Sequence, residues 1–377
     1  MTARWPPLLL ILICAACQQA PRWTWDLPEG FPTPSVPETN PMSAEKVELG
    51  RHLFHDVRLS GNETQSCATC HVQELAFTDG RAQALGSTGE LHSRSAMGLT
   101  NVAYNSRLTW ANHLMSQLED QAMVPLFGDV PVEMGLTEEE ELLSRLWKDE
   151  DYVRLFAEAY PDQPDPISMP NVLQAIASFQ RTLLSGDSPY DRYTRGETDA
   201  ISDSAKRGMR LFFSERLECF HCHGGFNFSD SVDHAGLVEE ERAFHNTGLY
   251  NVDGEGAYPS SDRGLHELTD RPEDMGAFRA PTLRNLAVTA PFMHDGSIPD
   301  LAGVLDHYAA GGRRIESGPN AGDGSANPYK DEFVVGFILN EQEKTDVLAF
   351  LETLTDEGFL TDPRFASPFG QSDPGGS

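Results

Sequence analysis

Apolar side chains at helical spacing dominate the pattern of this chain. Three segments place them at intervals of three and four residues: 171–184, 301–308 and 341–354. The apolar positions of the first and last segments are Val172, Ile176, Phe179, Leu183, Val347, Phe350, Leu351 and Leu354. Alternating strand patterns are sparse, and the loops are long and rich in glycine and proline. The pattern predicts a mainly α protein.

One helical pattern occurs twice. Residues 43–54 read Ser-Ala-Glu-Lys-Val-Glu-Leu-Gly-Arg-His-Leu-Phe, and residues 204–212 read Ser-Ala-Lys-Arg-Gly-Met-Arg-Leu-Phe. Both contain Gly-x-x-Leu-Phe, and Ser43 is a suitable N-cap for the first. The repetition predicts two related units in tandem, an N-terminal domain over 43–190 and a C-terminal domain over 191–377. The alternative is a pair of unrelated amphipathic helices.

A C-x-x-C-H motif follows each of these helices. The two strings are Cys67-Ala-Thr-Cys70-His71 and Cys219-Phe-His-Cys222-His223. At this spacing two thiols add to the two vinyl groups of one haem, and the histidine becomes the proximal iron ligand. A C-x-x-C pair also suits zinc or redox chemistry, but two complete motifs favour haem. We therefore expect two tandem cytochrome c-like domains, each with one covalently bound haem c.

Composition and charge narrow the class of protein further. The chain has 377 residues, of which 39% are hydrophobic and 23% charged, as in a globular protein. Its formal charge of −30 argues against nucleic-acid binding, which needs clustered lysine and arginine. It favours a partner with a basic docking patch.

The first 42 residues predict export. Residues 1–17 combine Arg4 with a short apolar run, which is typical of a signal peptide. The segment ends in Ala-Ala-Cys, which is typical of a lipoprotein leader with Cys17 as the lipidated residue. Plain secretion is the alternative, because Cys14 stands where such sites usually carry leucine. Residues 18–42 are rich in proline and predict an extended tether. With four of six cysteines used by haem, we expect a periplasmic protein.

Several strings outside the haem motifs resemble the bacterial di-haem peroxidases, the family that comprises the cytochrome c peroxidases and MauG. They are Leu59-Ser-Gly-Asn, Ala76-Phe-Thr-Asp-Gly80, Pro131-Val-Glu-Met-Gly135, Ala280-Pro-Thr-Leu-Arg-Asn285 and Thr289-Ala-Pro-Phe-Met-His-Asp-Gly296. Two further strings are most similar to the branch that contains MbnH, an enzyme that acts on a companion copper-binding protein. They are Gly86-Ser-Thr-Gly-Glu-Leu-His92 and Leu126-Phe-Gly-Asp-Val-Pro-Val.

The resemblance implies that the N-terminal haem, with His71 as its proximal ligand, reacts with peroxide. It also implies that Glu133 is the distal acid–base residue, accompanied by Gln121 and Pro125. The stretch from Gln121 to Glu133 is two residues longer here than in the family. Classical members carry a second histidine on this iron. His92 lies in that region at a different spacing, so it is either that ligand or an ordinary loop histidine.

For the C-terminal haem, the resemblance implies His223 as the proximal ligand and a sixth ligand fourteen residues after His294. That position is Tyr308, as in MauG, whereas classical peroxidases have methionine. The helical pattern places Tyr308 on a core-facing stripe and His307 about 100° away from it. The alternative is a packed tyrosine with Met275 or Met293 as the iron ligand.

The resemblance also implies residues between the haems. Trp110 stands eleven residues before Gln121, one more than the inter-haem tryptophan of the family, and core packing is its alternative role. Thr289 and Pro291 match carbonyl donors of a calcium ion, and Ser95 stands where the third donor is usually asparagine. His294 is expected to support the haem region without binding iron.

Three functions follow from these expectations. The first is a MauG-like oxidase, in which peroxide produces a high-valent di-haem state that oxidises a partner protein, such as a tryptophan of a companion copper-binding protein. The second is a peroxidase that reduces hydrogen peroxide with electrons from a small cytochrome c or a copper protein. The third is a pure electron carrier. Tyr308 argues against the second, and Glu133 and Gln121 argue against the third.

Overall fold

The protein is described by a computed structural model that covers residues 23–238 and 244–370. The predicted leader, including Cys17, lies outside the described residues, as do positions 18–22 of the predicted tether. Within the described ranges, no helix combines the length and apolarity needed to cross a membrane.

The N-terminal half is helical, as the sequence predicts. Its helices are α1 (Ala44–His55), α2 (Cys67–Cys70), α3 (Leu118–Gln121), α4 (Met123–Phe127), α5 (Glu139–Trp147), α6 (Glu150–Ala159), α7 (Met169–Gln180) and α8 (Pro189–Thr194). Helix α1 begins at the predicted cap, where the Ser43 hydroxyl accepts a hydrogen bond from the Lys46 backbone N–H at 3.2 Å.

The C-terminal half has long loops between its helices and two small antiparallel strand pairs. The helices are α9 (Asp203–Phe212), α10 (Cys219–Cys222), α11 (His266–Thr269), α12 (Leu301–Ala309), α13 (Glu341–Glu352) and α14 (Glu357–Thr361). Strand β1 (Phe244–His245) pairs with β2 (Phe278–Arg279), and β3 (Arg314–Ile315) pairs with β4 (Gly322–Asp323). The prediction of a mainly α fold is confirmed.

A glycine sets the same helix crossing in each half. In α1, a Cβ at Gly50 would lie 1.9 Å from the Ala175 carbonyl oxygen of α7. In α9, a Cβ at Gly208 would lie 1.8 Å from the Asp346 carbonyl oxygen of α13. Both glycines belong to the repeated Gly-x-x-Leu-Phe pattern, and their missing side chains let two helix backbones touch. In both halves, the repeated pattern therefore marks a close contact between two helices.

Two segments cross between the halves. In the predicted tether, Phe31 packs edge-on against Tyr104 and Phe226, with ring centroids 6.0 and 4.9 Å away. Beyond α13, Phe359 packs against Phe77 of the N-terminal core at 5.6 Å. The described part of the tether is thus bound to the folded body, and the end of the predicted C-terminal domain completes the N-terminal core.

Candidate active site

The first C-x-x-C-H motif forms α2, and its histidine lies directly after the helix. His71 Nδ1 lies 2.8 Å from the Phe77 carbonyl oxygen, which leaves Nε2 as the nitrogen available to a metal. Burial lowers the pKa of His71, so the ring is held in the neutral form that iron ligation needs. Burial also raises the pKa of Cys67 to about 12 and that of Cys70 to about 11. Such thiols are poor redox thiolates, which favours haem attachment over redox chemistry.

These residues line a cavity of about 380 Å³ that also contains side chains predicted for peroxide chemistry, for iron ligation, for the path between the haems and for calcium. The predicted residues in its wall are Gln121, Pro125, Glu133, His92, Trp110 and Ser95. The sequence order does not place them together, because they come from α3, α4 and three separate loops. The fold brings them into the wall of one cavity together with Cys67, Cys70 and His71, and this set of side chains fits a haem site.

Glu133 lies in a loop that is hydrogen-bonded to helix α4 and to the loop around Ser87. The Met134 N–H donates to the Pro125 carbonyl at 2.8 Å, and the Ser87 N–H donates to the Glu133 carbonyl at 2.7 Å. A Cβ at Gly86 would lie 1.8 Å from the Val132 carbonyl oxygen, so glycine permits this close approach. The Glu133 side chain is 39% exposed toward the open cavity, and the surrounding protein atoms raise its pKa by burial.

His92 faces this carboxyl group. Its Nε2 lies 3.7 Å from Glu133 Oε1, and its Nδ1 accepts a hydrogen bond from the Arg94 N–H at 3.1 Å. The acceptor role of Nδ1 assigns the proton of the neutral ring to Nε2. Burial lowers the pKa of His92, which favours that neutral ring. The two side chains thus face each other in the cavity at a distance longer than a hydrogen bond.

The second motif forms α10 and lines a separate cavity of about 250 Å³. His223 Nδ1 lies 3.2 Å from the Phe228 carbonyl oxygen, and burial lowers the pKa of His223. Tyr308 of α12 lines the same cavity, and burial raises the pKa of its phenol. The cavity fits a haem held by Cys219 and Cys222.

The alternative ligands of the second haem are placed differently. Met275 and Met293 both pack against the apolar cluster of Leu249 and Tyr258, but only Met293 lines the cavity with Tyr308. His307 is buried, and neither of its ring nitrogens has a hydrogen-bond partner among the described residues. At 4% exposure it faces the protein interior more fully than the helical pattern indicated, but it does not line either cavity.

Trp110 lies in the walls of both cavities. Its indole Nε1–H donates to the Ser95 carbonyl oxygen at 2.9 Å, and Ser95 also borders both cavities. The Trp110 carbonyl accepts a hydrogen bond from the Arg279 N–H at 2.8 Å. An aromatic ring fixed at this point connects the two candidate haem sites.

The residues predicted for calcium lie near this junction. Thr289 and Pro291 line the C-terminal cavity, and their carbonyl groups accept no hydrogen bond from the described residues. The Ser95 hydroxyl lies 3.4 Å from the carbonyl oxygens of Met293 and His294. Free carbonyl oxygens are suitable donors for a hard cation.

His294 belongs to a buried group that the sequence did not reveal. Its ring stacks on Phe278 at 3.6 Å, and burial lowers its pKa to about 4. Beside it, Arg94 makes two hydrogen bonds of 2.7 Å to Asp262. The resemblance already implied a supporting role for His294, whereas Arg94, Asp262 and Phe278 belong to no quoted motif, and only the fold brings them to it.

The chain is similar to known di-haem proteins over most of its length. The family model described as di-haem cytochrome c peroxidase matches residues 44–199. The methylamine utilization protein MauG of Methylophilus methylotrophus is 34% identical over 93% of this chain and 96% of that protein. The cytochrome-c peroxidase IdrP1 of Pseudomonas sp. strain SCT is 36% identical over 86% of this chain and 84% of that protein.

One solved structure is considerably more similar. It is the crystal structure of a MauG-like protein associated with microbial copper homeostasis. It superimposes with a TM-score of 0.90 at 50% sequence identity and covers 92% of this chain and 99% of that chain.

Proposed function

The chain belongs to the family of di-haem cytochrome c peroxidases and MauG proteins, and we propose that it is a MauG-like oxidase of partner proteins. It is a haem-dependent oxidoreductase that acts with peroxide. Two haem c groups, held at Cys67 and Cys70 and at Cys219 and Cys222, supply the reaction with peroxide and the storage of oxidising equivalents. The substrate is an oxidisable side chain of a second protein.

The observation that carries this proposal is Tyr308 in the wall of the cavity that contains Cys219, Cys222 and His223. A phenolate is a hard anionic ligand that stabilises oxidised iron and lowers its reduction potential, whereas a thioether does the opposite. A tyrosine ligand suits a site that holds an oxidising equivalent. It suits poorly a site that must accept electrons from a high-potential donor.

Glu133 and His92 supply the acid–base chemistry of the N-terminal cavity in this proposal. Cleavage of a peroxide O–O bond requires a proton to leave one oxygen and to reach the other. The Glu133 carboxyl group, with its raised pKa, is suited to accept and return that proton. His92 Nε2–H faces Glu133 and is the second member of the relay, not an iron ligand. Gln121 and Pro125 shape the same wall.

Trp110 is the proposed route for charge between the two sites. It borders both cavities, and its indole is held by the Ser95 carbonyl. A rigid aromatic ring at this point shortens the distance that an electron crosses between the haems. We also propose a calcium ion near Thr289, Pro291 and Ser95, which would cross-link the two walls of this junction.

The proposed partner is a copper-binding protein whose tryptophan is oxidised. The 50% identical MauG-like protein is associated with microbial copper homeostasis, and the close agreement of the two folds supports a related substrate. The proposed location is the periplasm, where haem c proteins are assembled, with Cys17 as a lipid anchor. The net charge of −30 favours a partner with a basic contact surface.

A second candidate function is peroxide detoxification with electrons from a small cytochrome c or a copper protein. The relatives named cytochrome-c peroxidase favour it, whereas Tyr308 argues against it.

The test offers both substrates to the haem-loaded protein. It is mixed with peroxide and a candidate copper-binding partner protein, and separately with peroxide and a reduced small cytochrome c. Oxygen addition or loss of hydrogen at a partner tryptophan, found by mass spectrometry, is the expected result. Rapid oxidation of the cytochrome with an unmodified partner would establish the peroxidase instead.

A further inference from the structure

Arg279 is a buried arginine in the wall of the C-terminal cavity. The residue is 3% exposed and lies in β2. Its side-chain contacts are long: Nε lies 3.4 Å from the Thr109 carbonyl oxygen, and Nη2 lies 3.6 Å from the Met97 sulfur. Nη1 has no hydrogen-bond partner within residues 23–238 and 244–370. The guanidinium group is therefore poorly satisfied by the protein itself.

A buried cation without a carboxylate partner is costly, because the charge loses its hydration without compensation. Burial lowers the pKa of Arg279 to about 10, which still leaves the group charged at neutral pH. Arg279 forms no ion pair with a carboxylate of the described residues. The arrangement indicates that an anion from outside the polypeptide completes this site.

The nearby acidic side chains are already engaged by another cation. His245 lies between two carboxylates, with Nε2 2.5 Å from Asp230 Oδ2 and Nδ1 2.7 Å from Asp331 Oδ2. Burial opposes a charge on His245, but the hydrogen bonds to both carboxylates hold its pKa at about 12. Asp230 acts on Arg279 only through space, so it does not satisfy the donors of the guanidinium group.

We propose that Arg279 binds a propionate carboxylate of the haem attached to Cys219 and Cys222. The covalent linkage brings two carboxylates into the cavity that Arg279 lines, and a guanidinium fork matches a carboxylate in charge and shape. The Arg279 backbone N–H donates to the Trp110 carbonyl, so the same residue connects the second haem to the inter-haem tryptophan. This inference rests on membership of the di-haem family and not on the identity of the substrate.

The test compares Arg279→Gln and Arg279→Lys with the wild type, each with its haem content measured. A positive charge beside a propionate stabilises reduced iron, so Arg279→Gln is expected to shift the potential of the C-terminal haem downward. Arg279→Lys keeps the charge but loses the pair of parallel guanidinium N–H donors, and a smaller shift of the haem potential is expected. The resonance Raman band for propionate bending, which responds to hydrogen bonding, is expected to move in both variants.

Arg314→Gln is the matched control, because it removes one positive charge from the same domain at a side chain that is 70% exposed. No shift is expected there. If Arg279→Gln does not load haem, the propionate-bending Raman band of Arg279→Lys alone tests whether Arg279 binds the propionate. An unchanged potential and propionate band in the loaded variants would overturn the proposal and leave Arg279 to another anion. Neither result depends on partner oxidation, so the proposed function is tested separately.

Discussion

The indole Nε1–H of Trp110 donates a 2.9 Å hydrogen bond to the Ser95 carbonyl, at the point where the walls of the two candidate haem cavities meet. The bond fixes the plane of the ring between the sites, because a partly buried indole has one donor and that donor is satisfied. Trp110 therefore forms a defined connection between the N-terminal and C-terminal cavities.

Replacing Trp110 with phenylalanine should keep an apolar ring in the wall and remove the more easily oxidised indole. We expect both haems to load with unchanged ferric spectra, while transfer of oxidising equivalents between them slows by more than tenfold. Stopped-flow spectroscopy after mixing with peroxide measures this rate. Equal rates in Trp110→Phe and the wild type would show that Trp110 has only a packing role.

Glu133→Gln keeps the size of the side chain and removes its ability to accept a proton. A positioned acid–base group contributes about 10²–10⁴-fold to a rate, so we expect peroxide consumption to fall within that range. Glu90→Gln is the control, because Glu90 lines the same cavity and its carboxylate contacts the Val132 backbone N–H at 3.1 Å. A normal rate in Glu133→Gln would rule out the role proposed for this carboxyl group.

The reaction with peroxide should also show an acidic limb set by Glu133. Burial raises the pKa of Glu133 above its ordinary value of 4.5, and the proton acceptor is the ionised form. The active fraction is therefore lost as pH falls through this raised pKa, at a higher pH than for an exposed glutamate. A pH profile of the peroxide rate measures the limb, and Glu133→Gln should lack it.

His92→Phe separates the relay from iron ligation. If His92 only faces Glu133, the variant keeps the ferric spin state of the wild type, and the acidic limb of its pH profile moves. Arg94, Glu90 and Glu267 are the other charged groups in the cavity wall, and they remain in place. An EPR change from low-spin to high-spin iron in His92→Phe would instead identify His92 as a ligand of the first haem.

Gly208→Ala should destabilise the C-terminal unit. The added Cβ would lie 1.8 Å from a backbone carbonyl oxygen of α13, which cannot move aside without separating the helices. Overpacking of this kind costs about 1–3 kcal/mol, measurable by denaturant unfolding of the haem-loaded protein. Gly358→Ala is the control, because its nearest neighbour is a side-chain oxygen at 3.3 Å. Equal losses in both variants would show that the close crossing is not the cause.

The features encoded in short spacings could be predicted from the sequence. The helices at 44–55 and 341–354, the two C-x-x-C-H strings and the Gly-x-x-Leu-Phe repeat depend on local periodicity, and the structure places them as expected. The sequence shows the glycines of the repeat as a pattern. Only the packed structure shows why they are glycines, because there the backbones of two helices are in contact at each of them.

The contacts between distant loops could not be predicted. His92 and Glu133 meet because the segment around Gly86 lies against residues 130–134, and no local pattern encodes that approach. Nothing in the sequence distinguishes Arg279 from other charged residues, and only its burial without a carboxylate partner does so. Phe359 similarly joins the N-terminal core from the far end of the chain.

Addition of stoichiometric peroxide to the fully ferric, haem-loaded protein, without any reductant, distinguishes the MauG-like oxidase from a classical peroxidase. Visible, near-infrared and EPR spectra are then followed over time. We expect an immediate reaction that gives a long-lived, EPR-silent species with a near-infrared band, because Tyr308 stabilises the oxidised state of the second site. Ferric protein that reacts with peroxide only after one-electron reduction would contradict this expectation and identify a classical peroxidase.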